Sequence, residues 1–271
     1  MTDIHESRPS RQLWLIADDF AQSEPIDRAI LELAGKGLLS GTSVFAESAA
    51  CRERAPDLRA CTDLAVGMHF SLTHSIEGRL CWSLTEVWRR SFLRQWSAQD
   101  LQKLWHAQLD AFEQALGRAP DYVDGHQHVH QLPQIREAML HVLQERYGRV
   151  LPLRSTVMRS WRGLKAWVIQ FLGGKSLPAH SCMNEDFAGV YHFEATAFEQ
   201  EMQRWLDTLV DRGLIMCHPG HYDPDDVLCA SRPREYEALA SGWFEAQCRL
   251  RGLELLRRAD LGTNSHKESM A

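Results

Sequence analysis

Residues 13–45, LWLIADDFAQSEPIDRAILELAGKGLLSGTSVF, have the pattern of a complete strand–helix–strand unit. Residues 13–17 are all apolar, as expected of a strand that is buried on both faces. Residues 23–25 then indicate a helix start, because serine is a favoured N-cap and proline suits the first turn. Apolar side chains recur on one face of that helix at Ile26, Ile30, Leu33 and Ala34. A second short strand, at residues 42–45, completes a unit typical of parallel sheets with right-handed crossovers.

The same alternation continues along the rest of the chain. Short apolar runs predict further strands at residues 64–68, 122–123, 150–154, 214–217 and 253–256. Helix starts are predicted from Ser97 with Asp100, from Pro133, and from Thr196 with Glu199, and Gly213 is a predicted helix stop. Alternating strands and helices are typical of α/β folds with a parallel sheet.

These units predict an α/β fold of the (β/α) barrel type with seven to eight parallel strands, either irregular or incompletely closed. An open doubly wound sheet also fits the alternation. At 271 residues the chain suits a single catalytic domain, with residues 1–11 and 262–271 expected to be flexible termini. Hydrophobic residues make up 44% of the chain, which is enough for a sizeable core.

Charge and cysteine content argue against several classes of protein. The formal net charge of −6 argues against the concentrated basic face of a nucleic-acid-binding protein. Seven scattered cysteines include no Cys-x-x-Cys pair, which is typical of reduced thiols and predicts a cytoplasmic location. The N-terminus lacks an apolar signal region, and no run reaches the roughly 18 apolar residues of a membrane span.

Residues able to carry out chemistry cluster directly after the apolar runs. They are Asp18 and Asp19 after the first run, His69 after the third, Asp124 and His126 after the fourth, and His218 after residues 214–217. In parallel α/β folds the carboxyl ends of the strands meet on one face and build the active site. The sequence therefore predicts that these separate segments converge on one site.

Each of these motifs also has a structural interpretation. Two adjacent aspartates allow one carboxylate to ligate a metal and the other to take a proton, but aspartate is also common in caps and turns. His69 taken alone is typical of a core or loop histidine with its hydrogen bonds satisfied. In the motif CHPGHYD, residues 217–223, either His218 or His221 could protonate a leaving group, or a histidine could simply hold the turn.

The stretch HQHVH, residues 126–130, is the strongest single motif, because imidazole nitrogens suit zinc and other first-row metals. In extended backbone His126, His128 and His130 would face one side, with the outer pair too far apart for one metal. We therefore expect one direct ligand, with the other two supporting ligands or contacting substrate. The alternative is a polar turn with incidental histidines.

Four segments together resemble the YdjC-like carbohydrate deacetylases, a family that includes chitooligosaccharide deacetylases and hopanoid-biosynthesis-associated deacetylases. The segments are LIADDFAQSEPIDRAILELAGKGLLSGTSVF, VGMHFSLT, DYVDGHQHVHQLPQI and CHPGHYD, in the family's order and spacing between residues 13 and 240. The resemblance implies a (β/α) barrel-like fold and one divalent metal ion, magnesium or zinc. It also implies removal of an acetyl group from an N-acetylated sugar, either an oligosaccharide or a glycolipid.

The resemblance further implies roles for individual residues. Asp19, His69 and His126 would hold the metal, Asp18 would be the general base, and His218 the acid, with His221 left open as the alternative acid. Activated water would attack the acetamide carbonyl, and acetate and an amino sugar would be released. Substrate contacts or supports for the ligands are expected at Asp124, His128, His130, Arg154 and His221.

Two features depart from the family pattern. The family usually reads Asp-Asp-Phe-Gly, and Ala21 stands here in place of the glycine. If that position needs a positive φ, alanine would be strained there. Residues 74–96, with Trp82, Trp88 and Trp96, lie where a loop covering the substrate is expected.

A separate hypothesis concerns residues 159–175, RSWRGLKAWVIQFLGGK, where a helical apolar stripe is flanked by cations. Such a helix could rest on a membrane surface and deliver a lipid-linked amino sugar. The favoured alternative is a barrel helix that packs this stripe against the sheet. A homodimer is a further candidate assembly.

Two rival functions stay open at the level of sequence. An amidohydrolase-type metallohydrolase would also place a His-x-His pair at a barrel strand end, but usually on the first strand. A non-catalytic carbohydrate-binding protein could use the same scaffold. The presence of Asp18, Asp19, His69 and His126 counts against that second rival, whereas Ala21 keeps it open.

Overall fold

A computed structural model of the chain describes residues 11–74, 81–173, 177–193 and 198–261. The termini expected to be flexible, residues 1–11 and 262–271, therefore lie outside the described residues except for Arg11. Arg11 is the first residue of the first strand, where its guanidinium donates a hydrogen bond to the carbonyl of Leu209.

The described residues form strands and helices in alternation. The strands are β1 (Arg11–Phe20), β2 (Gly41–Val44), β3 (Ala65–Phe70), β4 (Val123–Gly125), β5 (Phe187–Ala188), β6 (Gly213–Cys217) and β7 (Leu253–Leu255). The helices are α1 (Glu24–Gly35), α2 (Ala49–Ala60), α3 (Leu84–Phe92), α4 (Ala98–Leu116), α5 (Ile135–Tyr147), α6 (Leu164–Gly173), α7 (Phe198–Thr208), α8 (Arg232–Ala240) and α9 (Trp243–Arg251). Short 3-10 turns lie at His126–Gln131, Ala179–Ser181 and Arg258–Asp260.

The strands form a parallel sheet that curls into a half-barrel with helices on its outside. Their order is β4-β3-β2-β1-β6-β5, and β7 pairs with the start of β1. Single bridges from Val123 to Leu153 and from Leu153 to Cys182 continue the curl beyond β4 without a full strand. The predicted α/β fold with a barrel-like, incompletely closed parallel sheet is confirmed.

Strand β1 is the centre of this sheet, and its apolar run is buried on both faces as predicted. Trp14 and Ile16 pack in one cluster with side chains from neighbouring strands, and Leu13, Leu15 and Ala17 pack in the other. The indole Nε1 of Trp14 donates a hydrogen bond of 3.2 Å to the carbonyl of Met183, so its buried polar group is satisfied. Burial on both sides explains why these residues do not alternate with polar ones.

Some predicted elements differ from those observed. The strand expected at residues 150–154 reduces to the single bridge at Leu153, and β5 was missed because two residues are too short to show a periodicity. Gly213 is the first residue of β6 and not a helix stop, since α7 already ends at Thr208. Thr196, one half of a predicted capping box, lies outside the described residues.

Most of the expected substrate-covering loop at residues 74–96 has a different structure. Helix α3 occupies Leu84–Phe92, and its N-cap Ser83 accepts a hydrogen bond from the backbone of Glu86. The indole rings of Trp82 and Trp96 meet edge to face at 5.0 Å, and both pack against the hydrophobic core. The loop expectation is therefore wrong for α3, and residues 75–80 lie outside the described part of the chain.

Helix α6 does not pack its apolar stripe against the sheet. Four large apolar side chains at its start and along its length are exposed: Trp161, Leu164, Trp167 and Phe171. Their exposed fractions are 69%, 67%, 43% and 74%, so the barrel-helix interpretation is wrong for this face. Among the described residues, no helix is both long and apolar enough to cross a membrane.

The loop after β1 has the backbone conformation that favours glycine. Ala21 has φ +70°, and Asp19 two residues earlier has φ +69°. The backbone N–H of Ala21 donates a hydrogen bond of 2.6 Å to the carboxylate of Asp27, which holds the turn. A left-handed conformation costs a non-glycine residue about 1–2 kcal/mol, so Ala21 is strained in the way its departure from the family pattern predicts.

Because of this strain, replacing Ala21 with glycine should change the free energy of unfolding only slightly. A21G relieves about 1–2 kcal/mol of backbone strain and loses about 0.8 kcal/mol of methyl burial. We expect its free energy of unfolding, measured by urea titration, to stay within about 1 kcal/mol of wild type. The control A29G, at a buried alanine inside α1, should lose about 2 kcal/mol from helix propensity and burial. An equal loss in both variants would contradict the strain.

Candidate active site

The carboxyl ends of β1, β3 and β4 and the residue after β6 bring several buried polar side chains together. Asp18 and Asp19 lie near the end of β1, His69 is the second-last residue of β3, and Asp124 lies in β4. His218 follows β6 directly, and its ring reaches the same group. The predicted convergence of these separate segments is therefore observed in the structure.

Three of these side chains form a group that could hold a cation. Asp19 Oδ1 lies 3.2 Å from His126 Nδ1 and 3.6 Å from His69 Nε2. Ligand atoms about 2.1 Å from a tetrahedral zinc ion are about 3.4 Å from one another, so these spacings match a shared ion. Asp19 Oδ1 is buried and has no hydrogen-bond partner among the described residues. One carboxylate oxygen and two imidazole nitrogens therefore fit a divalent cation.

The orientation of His69 is set from its other ring nitrogen. His69 Nδ1 lies 2.6 Å from Asp124 Oδ1, which leaves Nε2 facing Asp19. Burial alone would lower the pKa of His69, but the Asp124 carboxylate and the nearby Asp19 raise it to about 10. Since a metal-binding imidazole must give up the proton on its ligating nitrogen, cation binding here has to displace a proton.

Asp18 is held by a fork of two hydrogen bonds from Arg154. The guanidinium nitrogens Nη1 and Nη2 each donate to a carboxylate oxygen of Asp18 at 2.6 Å. Burial would raise the pKa of Asp18, but Arg154 outweighs it and holds the pKa at about 2. Arg154 also lies 2.6 Å from Asp124, whose Oδ2 accepts a hydrogen bond from Ser43. Asp18 is therefore ionised at neutral pH and fixed in place.

A second cation group, Asp18 with His69 and Asp124, also has suitable spacing. Its atoms are already engaged, since Asp18 is paired with Arg154 and Asp124 with His69 Nδ1. The group around Asp19 is the better candidate because, among the described residues, no guanidinium is paired with its Oδ1, which faces the two imidazoles that would be its fellow ligands.

The second oxygen of Asp19 has a partner of its own. Arg232 Nη2 donates to Asp19 Oδ2 at 2.9 Å, and Arg232 Nε donates to Asp226. Burial would raise the pKa of Asp19, but His126, His69 and Arg232 hold it well below its ordinary value. The carboxylate of Asp19 therefore stays ionised, with one oxygen bound to Arg232 and the other facing the two imidazoles.

His218 lies beside this group in a different state from His69. Its Nε2 is 4.0 Å from Asp19 Oδ2, and its buried Nδ1 has no hydrogen-bond partner among the described residues. Burial outweighs the neighbouring aspartates and lowers the pKa of His218 to about 4, so the resting imidazole is neutral. Its backbone N–H donates to the buried carboxylate of Glu235 at 2.5 Å.

The histidine triplet does not run in extended backbone, which corrects that part of the sequence interpretation. The chain turns after Gly125, and Gln127 and His128 take φ values of +52° and +60°. His126 consequently reaches Asp19, whereas His130 turns away and its Nε2 lies 3.0 Å from the carbonyl of Arg154. The three rings therefore point to three different places.

The remaining histidines in these motifs lie in different surroundings. His128 is buried, with its ring edge to face against Phe187 and no hydrogen-bond partner for Nδ1 among the described residues. His221 Nε2 lies 3.3 Å from a carboxylate oxygen of Glu32, and its ring contacts Tyr236. The structure thus brings His218, and not His221, to the aspartate pair.

Four residues of this site were not identified from the sequence: Ser43, Asp226, Arg232 and Glu235. Ser43 stands inside β2 and contacts Asp124, which is 81 residues away. Arg232 and Glu235 lie in α8 and Asp226 in the loop before it, and Arg232 contacts Asp19 across 213 residues. The sequence gives no sign of these residues. The feature that marks the charged ones, their burial, is seen only in the folded structure.

The comparisons with known proteins agree on one family. The model of the family described as YdjC-like protein matches residues 12–249. A chitooligosaccharide deacetylase of Salmonella dublin is 28% identical over 259 residues, covering 89% of this chain and 96% of its own. A chitooligosaccharide deacetylase of Citrobacter koseri is 27% identical over 262 residues, covering 90% and 97%.

Solved structures show the same fold. A crystal structure from Enterococcus faecalis, provisionally described as a cellobiose-phosphate cleavage protein, superimposes with a TM-score of 0.71 and 22% identity. That match covers 93% of this chain and 98% of the other. A peptidoglycan N-acetylglucosamine deacetylase superimposes with a TM-score of 0.52 and 12% identity, covering 92% and 86%. At these identities the likeness concerns the fold alone.

The turn that follows the aspartate pair should respond to pH through Asp27. Burial raises the pKa of Asp27 to about 7, above its unfolded value of 3.8. Its stabilising contribution is therefore complete below about pH 4 and is lost as the pH rises towards 7. In D27N the Oδ1 acceptor for Ala21 is kept, and the amide replaces an Oδ2 that has no partner among the described residues.

We therefore expect D27N to gain stability relative to wild type as the pH rises from 4 to 8. The shift of Asp27 corresponds to a gain on the order of 2–4 kcal/mol, at about 1.4 kcal/mol per pKa unit. Urea unfolding of both proteins across this range measures it, with E24Q as a control at a more exposed acid of the same helix. Parallel pH curves for wild type and D27N would show that Asp27 titrates normally.

Proposed function

This chain belongs to the YdjC-like protein family, and we propose that it is a metal-dependent hydrolase that removes an acetyl group from an N-acetylated sugar. The observation that carries the proposal is the meeting of Asp19 Oδ1, His69 Nε2 and His126 Nδ1 directly beside the ionised Asp18. The names of the chitooligosaccharide deacetylases among its relatives support the choice of substrate class.

Asp19, His69 and His126 would hold one divalent cation, zinc or magnesium. A cation bound there supplies Lewis acidity for the acetyl carbonyl and lowers the pKa of water at the site. Imidazole ligands favour zinc over magnesium, since magnesium prefers oxygen donors.

Asp18 is the proposed general base. Arg154 binds both of its oxygens, yet each carboxylate oxygen keeps a second lone pair that can accept a proton from water. The fork of hydrogen bonds fixes the direction of these lone pairs, so the base does not have to be ordered during the reaction. A pKa of about 2 makes Asp18 a weak base, so it depends on water whose own pKa has been lowered.

His218 is the proposed acid for the sugar nitrogen. Cleavage of the amide needs a proton on that nitrogen, because an amide anion is too basic to leave. The imidazole is neutral at rest and buried beside Asp18 and Asp19, whose negative charges favour the protonated form once a proton enters the site. His221 is set aside for this role because its ring contacts Glu32 and Tyr236.

The two rival functions fit this geometry less well. An amidohydrolase-type site would draw a histidine pair from the first strand, and β1 supplies two aspartates instead. A purely sugar-binding protein does not require a base and an acid beside a cation group. The compartment we propose is the cytoplasm, supported by seven cysteines that are all unpaired.

The test of the function is acetate release from a panel of N-acetylated sugars that includes free chitooligosaccharides and glycolipids. Activity should disappear after treatment with EDTA and return on addition of zinc or magnesium. Bound metal without acetate release from any member of the panel would favour the sugar-binding rival. Release of a different product would favour another hydrolase.

Single substitutions at Asp18 and Asp19 should separate cation binding from turnover. D18N should keep the cation but lose turnover by roughly 10²–10⁴-fold, because the base is removed and the ligands are not. D19N should lose the cation itself. Metal content after dialysis and acetate release measure the two effects, with D207N on α7 as an exposed control. Near-normal turnover of D18N would exclude the proposed base.

We also propose that the sugar can be lipid-linked and that α6 contacts a membrane surface. The exposed Trp161, Leu164 and Phe171 support this, since aromatic and aliphatic side chains of this kind insert at lipid interfaces. The helix adjoins the site, because Lys165 lies over the ring of Phe193 and that ring meets His218 edge to face.

Flotation with anionic liposomes tests the membrane contact. Wild type should float with the vesicles, and the double variant L164S/F171S should bind at least tenfold less. The control L250S, at an exposed leucine of α9, should behave as wild type. If wild type stays in the soluble fraction, the membrane contact is excluded. A change from dimer to monomer in L164S/F171S would instead assign the surface to a homodimer.

A further inference from the structure

One guanidinium group joins the candidate cation site to the loop before α8. Arg232 is buried, and its Nη2 donates to Asp19 Oδ2 at 2.9 Å while its Nε donates to Asp226 Oδ2. Its Nη1 also lies 3.5 Å from the backbone carbonyl of His218. Arg232 thus contacts the proposed ligand, the proposed acid and the loop at the same time.

We propose that Arg232 is a positioning residue that makes Asp19 a one-oxygen ligand for the cation. Because Oδ2 is bound to Arg232, only Oδ1 is left to face His69 and His126, and it is this oxygen that has no hydrogen-bond partner in the described part of the chain. Without the guanidinium the carboxylate could rotate, or both of its oxygens could bind the ion. The inference rests on the proposed cation site.

The position of Arg232 is itself fixed from several sides. Asp226 is buried, and its Oδ1 accepts hydrogen bonds from the side chain of Gln22 and from the backbone of Leu228. Gly220 packs directly against the arginine, since a Cβ at that glycine would lie 2.9 Å from Arg232 Cδ. This packing prevents the arginine from following a moving carboxylate, so it acts as a fixed clamp.

Arg232 also has an electrostatic effect that opposes the proposed role. A positive charge next to the site repels a cation, so its removal alone would tighten binding. A group that supports ligand geometry is typically worth 10–100-fold in metal affinity, and Arg232 supports Asp19 through a direct hydrogen bond. Lysine at this position separates the two effects, because it keeps the charge but lacks the rigid planar fork that holds Asp19 and Asp226 in fixed directions.

The experiment measures zinc affinity of the EDTA-treated protein by isothermal titration calorimetry, with no substrate present. We expect R232K and R232M each to bind zinc about 10–100-fold more weakly than wild type. D226N, which removes only the anchor of the clamp, should bind severalfold more weakly. The control is R146K, because Arg146 likewise bridges two carboxylates, Asp110 and Glu113, on the outer helices. R146K should bind zinc as wild type does.

The outcomes distinguish this inference from the function on which it rests. If wild type binds neither zinc nor magnesium, the proposed cation site is wrong and Arg232 has no cation ligand to position. If wild type binds but R232K binds equally well, the positioning role is wrong. Tighter binding by R232M would show that the charge alone matters and would equally overturn it. If circular dichroism shows that R232M does not fold, the zinc affinities of R232K and D226N test the positioning role.

Discussion

The structure of this site depends on the pairing of buried charges. Four buried aspartates, Asp18, Asp19, Asp124 and Asp226, are joined by two buried arginines, Arg154 and Arg232. Among these six side chains two negative charges are left over, and an uncompensated charge in a protein interior costs several kcal/mol. Without a cation, protonated His69 offsets one of them. A divalent cation, with both imidazoles neutral, offsets both, which is a physical reason for the site to favour a doubly charged ion.

The same pairing explains why the two aspartates differ although they are adjacent. Asp18 is held through both oxygens by Arg154, which leaves it suited to accepting a proton in a fixed direction. Asp19 is held through one oxygen by Arg232, which leaves the other for an ion. The left-handed backbone at Asp19 turns its side chain towards the histidines, away from the course of the strand. Strain of this kind persists only where surrounding contacts hold it, and it clusters at functional sites.

Much of this arrangement could be predicted from the sequence, for a clear physical reason. Strand β1 is recognisable because burial on both faces demands an unbroken apolar run, and a parallel sheet brings Asp18, Asp19, His69 and His126 to one face. The turn after Gly125 could not be predicted, because left-handed Gln127 and His128 leave no mark in residue type. Arg154 could be named as a contact but not assigned to Asp18, since 136 residues separate the two. Arg232 is separated from Asp19 by 213 residues and was missed altogether.

The side chains that make the site a connected unit were predicted only in part: Asp124 and Arg154 were, whereas Ser43, Asp226 and Arg232 were not. Ser43, Arg154 and Asp124 link β2 to β4, and Arg232 with Asp226 links the end of β1 to α8. These hydrogen bonds join segments that are not paired through the backbone, since β3 separates β2 from β4 and α8 lies outside the sheet. The charges that orient the ligands therefore also hold separate segments together, so changes to the chemistry of the site and changes to its stability are physically coupled.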